Sequence, residues 1–286
     1  MTTVLSGKVL AAQIKKDTAE RVQALTARGV QVGLAIVTAT DDEASAWYVR
    51  SITKAAAAVG IAGRVEELGV TATESDIRSM LVKLGDDPGV HGIILQTPLP
   101  DGVRSERVSV AIAPEKDVDG ANPESFGRLA TGLRAFAPAT AQAVVELLDH
   151  HGIDLHGKHA VVVGRSTVVG KPLAHLLLDR HSTVTIAHSR THGLAEVTSR
   201  GDVVVAAVGR ARLITADHIG PVAVVVDVGT NPTPEGGLVG DVDPGVTGKA
   251  AALSPVPGGV GPVTTALLLR HTVDVAERGG RAAVGS

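Results

Sequence analysis

The feature that most constrains this chain is the stretch at residues 159–178, HAVVVGRSTVVGKPLAHLLL. Its β-branched apolar run is too short for a helix and predicts a buried strand. A turn bounded by Gly164 and Gly170 follows, and then Pro172, which suits the first turn of a helix because its missing N–H costs nothing there. This order of strand, glycine turn and helix aims backbone N–H groups at an anion, usually a phosphate. Because the spacing is not G-x-G-x-x-G, an ordinary βα turn is the alternative.

The next predicted strand, residues 183–187, indicates which dinucleotide such a turn would hold. A fold that prefers NAD places Asp or Glu about 20 residues past the glycines, where the acid binds the ribose 2′-hydroxyl. Here that place reads His188-Ser189-Arg190, without an acid. Together with Arg165 these side chains are donors that suit an additional 2′-phosphate. The sequence therefore favours NADP over NAD, the alternative being that Arg190 is a solvated surface charge.

Length and composition indicate a soluble protein of two domains. The 286 residues exceed what one core normally serves, and 44% hydrophobic with 20% charged residues fits a globular protein. The net charge of −3 suggests neither a nucleic-acid nor a membrane surface. The chain has no cysteine, which excludes disulfides and thiolate chemistry and is compatible with the cytoplasm. The N-terminus does not read as a signal peptide, and no apolar run approaches the ~20 residues that span a bilayer.

The order of apolar segments predicts an α/β fold. Strands over 32–37, 61–68 and 91–96 alternate with helices over 44–59 and 74–84. The order βαβαβ is typical of a parallel sheet with helices on both faces. A polar loop is predicted over the residues that follow the short helix 105–112.

A second alternating series begins after a connecting helix at residues 138–150. We predict an N-terminal parallel-sheet catalytic domain, residues 1–137 plus 262–286, and a C-terminal Rossmann-like dinucleotide domain, residues 138–261, with a cleft between them. The last helix is predicted over about 261–277 and returns to the first domain, and residues 279–286 read as a loose tail.

Three loops are candidates for a substrate site, because ligands of open α/β sheets bind beyond the carboxyl ends of the strands. Gln96 follows a strand directly and can both donate and accept hydrogen bonds. The polar loop 116–120 carries two carboxylates, Asp117 and Asp119. The glycines of the loop 257–262 permit close approach of the backbone to a planar ligand.

Other acidic residues and the histidines have simpler interpretations. Asp117 and Asp119 could open a calcium loop, but the downstream ligands and the Glu at position twelve are missing, and both could equally be turn formers. Asp241 and Asp243 read as turn residues. The eleven histidines show no H-E-x-x-H or paired metal spacing, so no metal site is predicted. The sequence contains no G-x-S-x-G elbow, the motif that would suggest an α/β-hydrolase.

A series of motifs runs through nearly the whole chain. In order they are YVRSITKAAAAVGI, GIILQTPLP, PEKDVDG followed by GRL, VVGRSTVVGKP, HSRT, VVDVGTN, LVGDV and PVPGGVGPVT. In content and order they resemble the methylenetetrahydrofolate dehydrogenase/methenyltetrahydrofolate cyclohydrolase family, and GRSxxVGxP with PGGVGPxT is a highly specific combination. The resemblance implies an NADP-linked oxidation of 5,10-methylenetetrahydrofolate to the methenyl form, a hydrolysis to 10-formyltetrahydrofolate in the same cleft, and a homodimer.

The resemblance also implies roles for single residues. Arg165 and Ser189 resemble the contacts to the 2′-phosphate. Asp119 resembles the carboxylate that grips the amidine edge of the pterin, Tyr48 the aromatic that stacks on the folate, and Gln96 the glutamine that orients the catalytic lysine. With the interpretation of the residues after the strand at 183–187 added, the predicted cofactor-binding set is Gly164, Arg165, Ser166, Gly170, His188, Ser189, Arg190 and Thr230. The implied wall near the folate and the nicotinamide includes Pro257, Gly258 and Gly259.

The catalytic lysine of the family is the residue that fails to match. In the family it lies four residues after the tyrosine, in Y-V-x-x-K-x-K-A, and here that position is Ile52. Lys54 matches the second basic position, and residues two apart on a helix point to nearly opposite sides. The hydrolytic step needs an acid or base, which typically contributes ~10²–10⁴-fold, whereas hydride transfer needs mainly alignment. The proline-cysteine-threonine-proline motif also differs, reading PATA at residues 138–141.

Three hypotheses follow, and the first is our prediction. It is a cytoplasmic NADP-dependent methylenetetrahydrofolate dehydrogenase whose cyclohydrolase activity is lost or strongly reduced. Its catalytic positions are Tyr48, Gln96 and Asp119, with Ile52 at the position of the family's lysine. The second is an NADP-linked oxidoreductase on a different small amine or imine substrate. The third is a non-catalytic ligand-binding pseudoenzyme, against which the intact cofactor turn argues.

Overall fold

The computed structural model describes residues 1–233 and 236–282, with the backbone alone for residues 280–282. The chain forms two compact units. We call residues 1–11 with 140–264 the six-stranded unit, and residues 12–139 with the chain from Thr265 onward the three-stranded unit, after their main sheets. Both sheets are parallel and both units carry helices, so the predicted α/β fold class is confirmed.

Strands and helices alternate along most of the described chain. The strands are β1 (Thr3–Val4), β2 (Gly33–Thr38), β3 (Ala62–Glu67), β4 (Gly92–Leu95), β5 (His159–Val163), β6 (Thr183–Ala187), β7 (Val203–Ala206), β8 (Val224–Asp227), β9 (Asn231–Pro232), β10 (Leu238–Val239) and β11 (Ala252–Leu253). The α-helices are α1 (Lys8–Thr26), α2 (Glu43–Ala58), α3 (Glu74–Asp86), α4 (Ser105–Val108), α5 (Pro123–Ala130), α6 (Ala139–His150), α7 (Gly170–Leu178), α8 (Leu194–Thr198) and α9 (Val260–Ala282).

The three-stranded unit is built on the sheet β3-β2-β4. Its central strand β2 is buried along nearly its whole length, which explains the continuous apolar run predicted there. Helix α3 begins with a capping box, in which Thr73 and Asp76 each bind the other's backbone N–H, and buries Ile77, Leu81 and Leu84. Helix α2 buries a single face at the spacing of helical turns. The buried residues of α2 are Ser45, Val49, Ile52 and Ala56.

The six-stranded unit is built on the sheet β1-β11-β8-β7-β5-β6. Strand β7 is buried at every position and β5 at four of five, as expected for strands covered on both faces. Strands β6 and β7 pair with opposite sides of β5. The chain therefore reverses its direction of winding at β5, and the crevice at such a point, outside the carboxyl ends of the strands, is where open α/β sheets bind ligands.

The first eleven residues pack with the six-stranded unit, whereas the prediction grouped them with the rest of residues 1–137. The reason is β1, which pairs in parallel with β11 and places Thr3 opposite Ala252. The Thr2 hydroxyl also donates to the Ala250 carbonyl over 2.8 Å. A strand of two residues is too short for hydrophobic periodicity to reveal.

Two further differences concern helices. Helix α9 continues to Ala282, so residues 279–282 are helical and not part of a tail, while residues 283–286 lie outside the described residues. Helix α5 occupies part of the chain after the predicted polar loop, and its start has a recognisable signal. Asn122 Oδ1 accepts from the Glu124 N–H over 2.8 Å, and Pro123 follows at the first helical position. In the described part of the chain, no helix is both long and apolar enough to cross a membrane.

Candidate active site

The turn after β5 depends on two close approaches of backbone to backbone. Gly164 has a φ of +133°, and a Cβ atom there would lie 2.2 Å from the Ala207 carbonyl oxygen at the end of β7. A Cβ on Gly170, the first residue of α7, would lie 2.2 Å from the Gly164 carbonyl oxygen. Only glycine fits at either position without moving the backbone. The predicted order of strand, glycine turn and helix is what the structure shows.

Ser166 organises this turn from within. Its hydroxyl oxygen accepts from the N–H groups of Val169 (3.1 Å) and Gly170 (3.4 Å) and so holds the turn against the start of α7. The hydroxyl hydrogen of Ser166 is left to donate to a ligand. The side chain of Arg165 beside it is exposed.

The loop after β6 presents its side chains at the same edge of the sheet. Val163, the last residue of β5, lies opposite Ala187, the last residue of β6. The Arg190 N–H donates to His188 Nδ1 over 3.1 Å, so this ring nitrogen is an acceptor in the folded loop. The side chains of Ser189 and Arg190 are exposed, and they follow the strand that pairs with β5.

Two buried carboxylates fix the remaining loops at this edge. Asp241 is completely buried, and its oxygens accept from the N–H groups of residues 208–210 at 2.7, 3.0 and 2.9 Å. It also accepts from Asn231 Nδ2 over 2.9 Å. Asp241 therefore ties the loop after β7 to the first residue of β9. Its interpretation from sequence as a turn residue missed this role.

Asp227, the last residue of β8, completes the arrangement. Its carboxylate accepts from the N–H groups of Gly229 (2.9 Å), Asp241 (2.9 Å) and Val242 (3.0 Å), and burial raises its pKa despite these donors. Thr230, the predicted cofactor residue in this loop, is exposed. Both aspartates stand in the motifs VVDVGTN and LVGDV. The sequence shows no sign of their structural role, because partners such as Val208 for Asp241 and Asp241 for Asp227 are 33 and 14 residues away.

The glycine-rich loop before α9 lies in the same unit. The Gly7 N–H donates to the Gly258 carbonyl over 2.9 Å, and the Gly259 N–H donates to the Pro255 carbonyl over 2.8 Å. Gly258 has a φ of +111°. Pro257 is exposed whereas both glycines are buried, so Pro257 is the accessible residue of these three.

A second group of predicted residues meets in the three-stranded unit. Burial, and then the charge of Asp119, raise the pKa of Tyr48, so the phenol lies within electrostatic range of this carboxylate. Burial raises the pKa of Asp119 to about 7, the charge of Asp117 adds to this, and the Ala139 N–H, 3.3 Å from Asp119 Oδ1, opposes it. Asp119 is thus a carboxyl that titrates near neutral pH.

Asp117 has a structural role. It is fully buried and accepts from the N–H groups of Ala121 and Asn122, each over 2.9 Å. Burial raises its pKa, while these bonds and one from Ser125 lower it. Asp117 therefore shapes the loop that presents Asp119. Among the described residues, no group of three or more histidine, aspartate or glutamate side chains is placed to hold a metal ion.

Gln96 lies at the beginning of α2. Its Nε2 donates to the Thr97 carbonyl over 2.7 Å and lies 3.5 Å from Ser45 Oγ. Ser45 and Tyr48 are three residues apart on α2, a spacing that puts them on one side of the helix. The fold therefore brings Gln96 to the same end of α2 as Tyr48.

Ile52 follows Tyr48 by one helical turn and is completely buried. It continues the buried face that begins at Ser45. Lys54 is exposed, so the expectation that Lys54 points away from the side of Ile52 is confirmed. The helix thus presents no basic side chain at the position that follows Tyr48 by four.

Comparison with known proteins connects the two groups of residues. Residues 5–119 match the catalytic-domain model of tetrahydrofolate dehydrogenase/cyclohydrolase, and residues 138–279 match its NAD(P)-binding-domain model. The chain belongs to the tetrahydrofolate dehydrogenase/cyclohydrolase family. The resemblance drawn from the motifs is confirmed.

Individual relatives of this family align over nearly the full chain. The "Bifunctional protein FolD" of Nocardia farcinica is 61% identical over 97% of this chain and 98% of its own length. The solved bifunctional FolD enzyme of Campylobacter jejuni superposes with a TM-score of 0.94 at 39% identity, covering 98% of this chain and all of that one. The Trypanosoma brucei methylenetetrahydrofolate dehydrogenase-cyclohydrolase, solved with NADP cofactor and an inhibitor, gives 0.93 at 36% identity over 98% and 99%.

Membership in the tetrahydrofolate dehydrogenase/cyclohydrolase family assigns a function class to each group of residues. The β5 turn, the β6 loop and the two buried aspartates fall within the NAD(P)-binding domain. Tyr48, Ile52, Gln96 and Asp119 fall within the catalytic domain.

Proposed function

We propose that the protein is an NADP-dependent methylenetetrahydrofolate dehydrogenase whose cyclohydrolase activity is lost or strongly reduced. The observation that carries the second half of the proposal is Ile52, a fully buried apolar side chain where the family motif has its lysine. We also propose, from the family resemblance, that the enzyme is a cytoplasmic homodimer.

The donors at the edge of the six-stranded sheet support NADP as the cofactor. Arg165 and Ser189 follow two neighbouring strands, and the loop after β6 carries no acid that would repel a 2′-phosphate. The relative from Trypanosoma brucei was solved with NADP. When bound, NADP supplies the acceptor for the hydride that leaves the methylene carbon. The residues of this chain hold and align the reactants.

The polar cluster of the three-stranded unit supports a folate substrate. An ionised Asp119 would accept two N–H groups of the pterin amidine, a bidentate pairing that is stronger than neutral hydrogen bonds. Tyr48 offers a ring for stacking next to this carboxylate. Gln96 would add polar contacts at the same end of α2. None of these tasks requires a residue that moves a proton.

The hydrolytic step makes a different demand. Attack of water on the methenyl carbon gives a tetrahedral intermediate, and its formation and breakdown require proton transfers. Ile52 has no group that accepts or donates a proton, and Lys54 is exposed on another side of α2. The relative from Nocardia farcinica is named a bifunctional protein, so the two activities must be measured separately in this chain.

The test is a coupled absorbance assay with purified protein, 5,10-methylenetetrahydrofolate and NADP, in which NADPH and methenyltetrahydrofolate are followed separately. We expect NADPH to form while methenyltetrahydrofolate accumulates and decays at the rate of buffer alone. Decay faster than buffer would mean that another group replaces the lysine and would refute the proposed loss. Absence of NADPH would refute the dehydrogenase assignment and favour a different substrate or a binding protein, which ligand screening by thermal shift would then address.

A further inference from the structure

A cavity of about 210 Å³ in the three-stranded unit is lined by arginines and contains none of the residues used in the proposed reaction. Arg128 comes from the last turn of α5, Arg134 from the segment that follows, and Arg278 from the last part of α9. Phe136 forms one wall, and Glu115 is the acidic residue of the lining. We call this space the arginine cavity.

Arg278 rests on a buried aromatic platform. Its guanidinium carbon lies 4.8 Å from the centroid of the Phe136 ring, within the range of a cation–π interaction. Phe136 is only 7% exposed and stacks on His271 with ring centroids 4.7 Å apart. His271 Nδ1 lies 2.8 Å from the Val118 carbonyl oxygen, so this nitrogen carries a hydrogen and donates. His271 is thus held by the Val118 carbonyl and in turn supports the Phe136 ring, which limits the positions that the Arg278 guanidinium can occupy.

Three acidic residues outside the lining already form ion pairs. Asp274 and Glu277 of α9 both form ion pairs with Arg21. Arg128 pairs with Glu124 at 2.6 Å. In the part of the chain that the structure describes, neither Arg134 nor Arg278 forms an ion pair. Because Glu124 neutralises Arg128, the charges left in the lining are those of Arg134 and Arg278 against that of Glu115.

Arg134 and Arg278 lie close enough for their charges to interact unfavourably. Partial burial, and then the charge of Arg134, lower the pKa of Arg278, while Asp274 opposes the shift. Two neighbouring guanidinium groups repel each other, and the repulsion is strongest where water is partly excluded. A ligand with two negative charges between them would remove this repulsion and bind both planar groups through paired hydrogen bonds.

We propose that the arginine cavity binds the phosphate group of a small molecule, with Arg134 and Arg278 as the two binding side chains. A phosphate group carries about 1.5 to 2 negative charges at neutral pH and several acceptor oxygens, which matches two guanidinium groups that form no ion pair with any described residue. Arg128 contributes less, because Glu124 already neutralises it. The ligand is either free inorganic phosphate or a phosphate monoester. This site does not depend on the reaction proposed above.

The test is calorimetric titration of the full-length protein with inorganic phosphate and, separately, with glycerol phosphate, at constant ionic strength. NADP is kept saturating so that phosphate does not enter the proposed cofactor site. We expect one site per chain for the better of the two ligands. Tighter binding of glycerol phosphate identifies a monoester as the ligand, and tighter binding of inorganic phosphate identifies the free ion. A titration that does not saturate with either ligand overturns the proposal.

Variants locate the site. Arg134→Gln and Arg278→Gln should each weaken binding about tenfold or more, the effect of losing a hydrogen bond to a charged group. Arg200→Gln, which removes an exposed arginine of the six-stranded unit that pairs with Glu196, should leave the affinity unchanged. The removed side chains are exposed, so unchanged circular dichroism and NADP affinity should show that the variants are folded. Unchanged phosphate affinity in both cavity variants, or tight binding of citrate with none of either phosphate ligand, would overturn the assignment.

Discussion

Two regions of the molecule obtain their structure in different ways. One is the cofactor edge, formed by the loops that follow β5, β6, β7 and β8. The other is the polar cluster of Tyr48, Gln96 and Asp119. At the cofactor edge the shape comes from the backbone, because Gly164 lies against Ala207 and Asp241 binds the N–H groups of residues 208–210. In the polar cluster the chemistry comes from single side chains on α2 and on the loop that carries Asp119. A substitution that displaces the backbone of the first region should therefore disturb the whole site. Replacement of one side chain in the second region can remove one chemical step and leave the others.

Of the variants considered, Gly164→Ala should have the largest effect on the site at the edge of the six-stranded sheet. In Gly164→Ala the new methyl group would lie 2.2 Å from the Ala207 carbonyl oxygen. This oxygen belongs to the backbone, so it cannot move aside as a flexible side chain could. The φ of +133° is also one that alanine rarely adopts. We expect loss of measurable NADP binding by calorimetry, or failure to fold.

Gly152→Ala provides the matched control for Gly164→Ala. Gly152 also has a positive φ, +67°, but nothing lies within 4 Å of where its Cβ would be. It should lower the free energy of unfolding by only about 1 kcal/mol, the cost of the backbone conformation alone. NADP affinity should stay as in the wild type. Equal loss of affinity in both variants would contradict the importance of the contact with Ala207.

The next largest effect is expected from Ile52→Lys. It supplies the missing proton-transfer group and should raise the hydrolysis of methenyltetrahydrofolate about 10²-fold, the lower end of what acid–base catalysis contributes. Because Ile52 is completely buried, the same change should lower the free energy of unfolding by about 3 kcal/mol. Methenyl decay and urea unfolding measure the two effects. Ile52→Met should change neither by a comparable amount, and a folded lysine variant that binds folate without any gain would argue against this account of the loss.

A smaller effect should follow Asp241→Asn. Asparagine has one acceptor oxygen where the carboxylate receives four hydrogen bonds, so the loop at residues 208–210 loses part of its attachment. We expect the KM for NADP to rise about tenfold, equivalent to about 1.4 kcal/mol, with kcat changed less. The control is Asp243→Asn, because Asp243 caps a short turn through the single N–H of Gly245. Equal KM values in the two variants would mean that Asp241 does not position the cofactor loop.

The smallest effect expected is a dependence of substrate affinity on pH. With a pKa of about 7, Asp119 is mostly protonated at pH 6 and mostly ionised at pH 8. Since only the carboxylate accepts two pterin N–H groups, KM for methylenetetrahydrofolate should fall about five- to tenfold between these values, following the ionised fraction. Stability should change in the opposite sense. The folded state binds the proton more tightly than the unfolded state, so this contribution is lost as pH rises from about 4 to 7. In Asp119→Asn the substrate KM should be high and independent of pH, and a wild-type profile in that variant would assign the titration elsewhere.

The sequence predicted the backbone-built part of the molecule better than the side-chain part. Glycines at fixed places around an apolar run revealed the turn after β5, because few other structures require glycine there. The roles of Asp227 and Asp241 were missed because their partners are distant in the chain. The burial of Ile52 could be anticipated from its spacing with Val49 and Ala56, but the neutral-range titration of Asp119 depends on burial that no local pattern reveals. The two-residue strand β1 likewise takes its partner from the far end of the chain.

This last pairing has a consequence for how the protein is made. Strand β1, at residues 3–4, has its partner at residues 252–253, and Arg21 has its partners at Asp274 and Glu277. At the usual rate of synthesis the first strand waits about 12–50 s for the segment that it pairs with. Neither unit can therefore be completed on the ribosome until nearly the whole chain has emerged. Separating the two units by cutting the chain near residue 140 would leave each without a piece of its own structure.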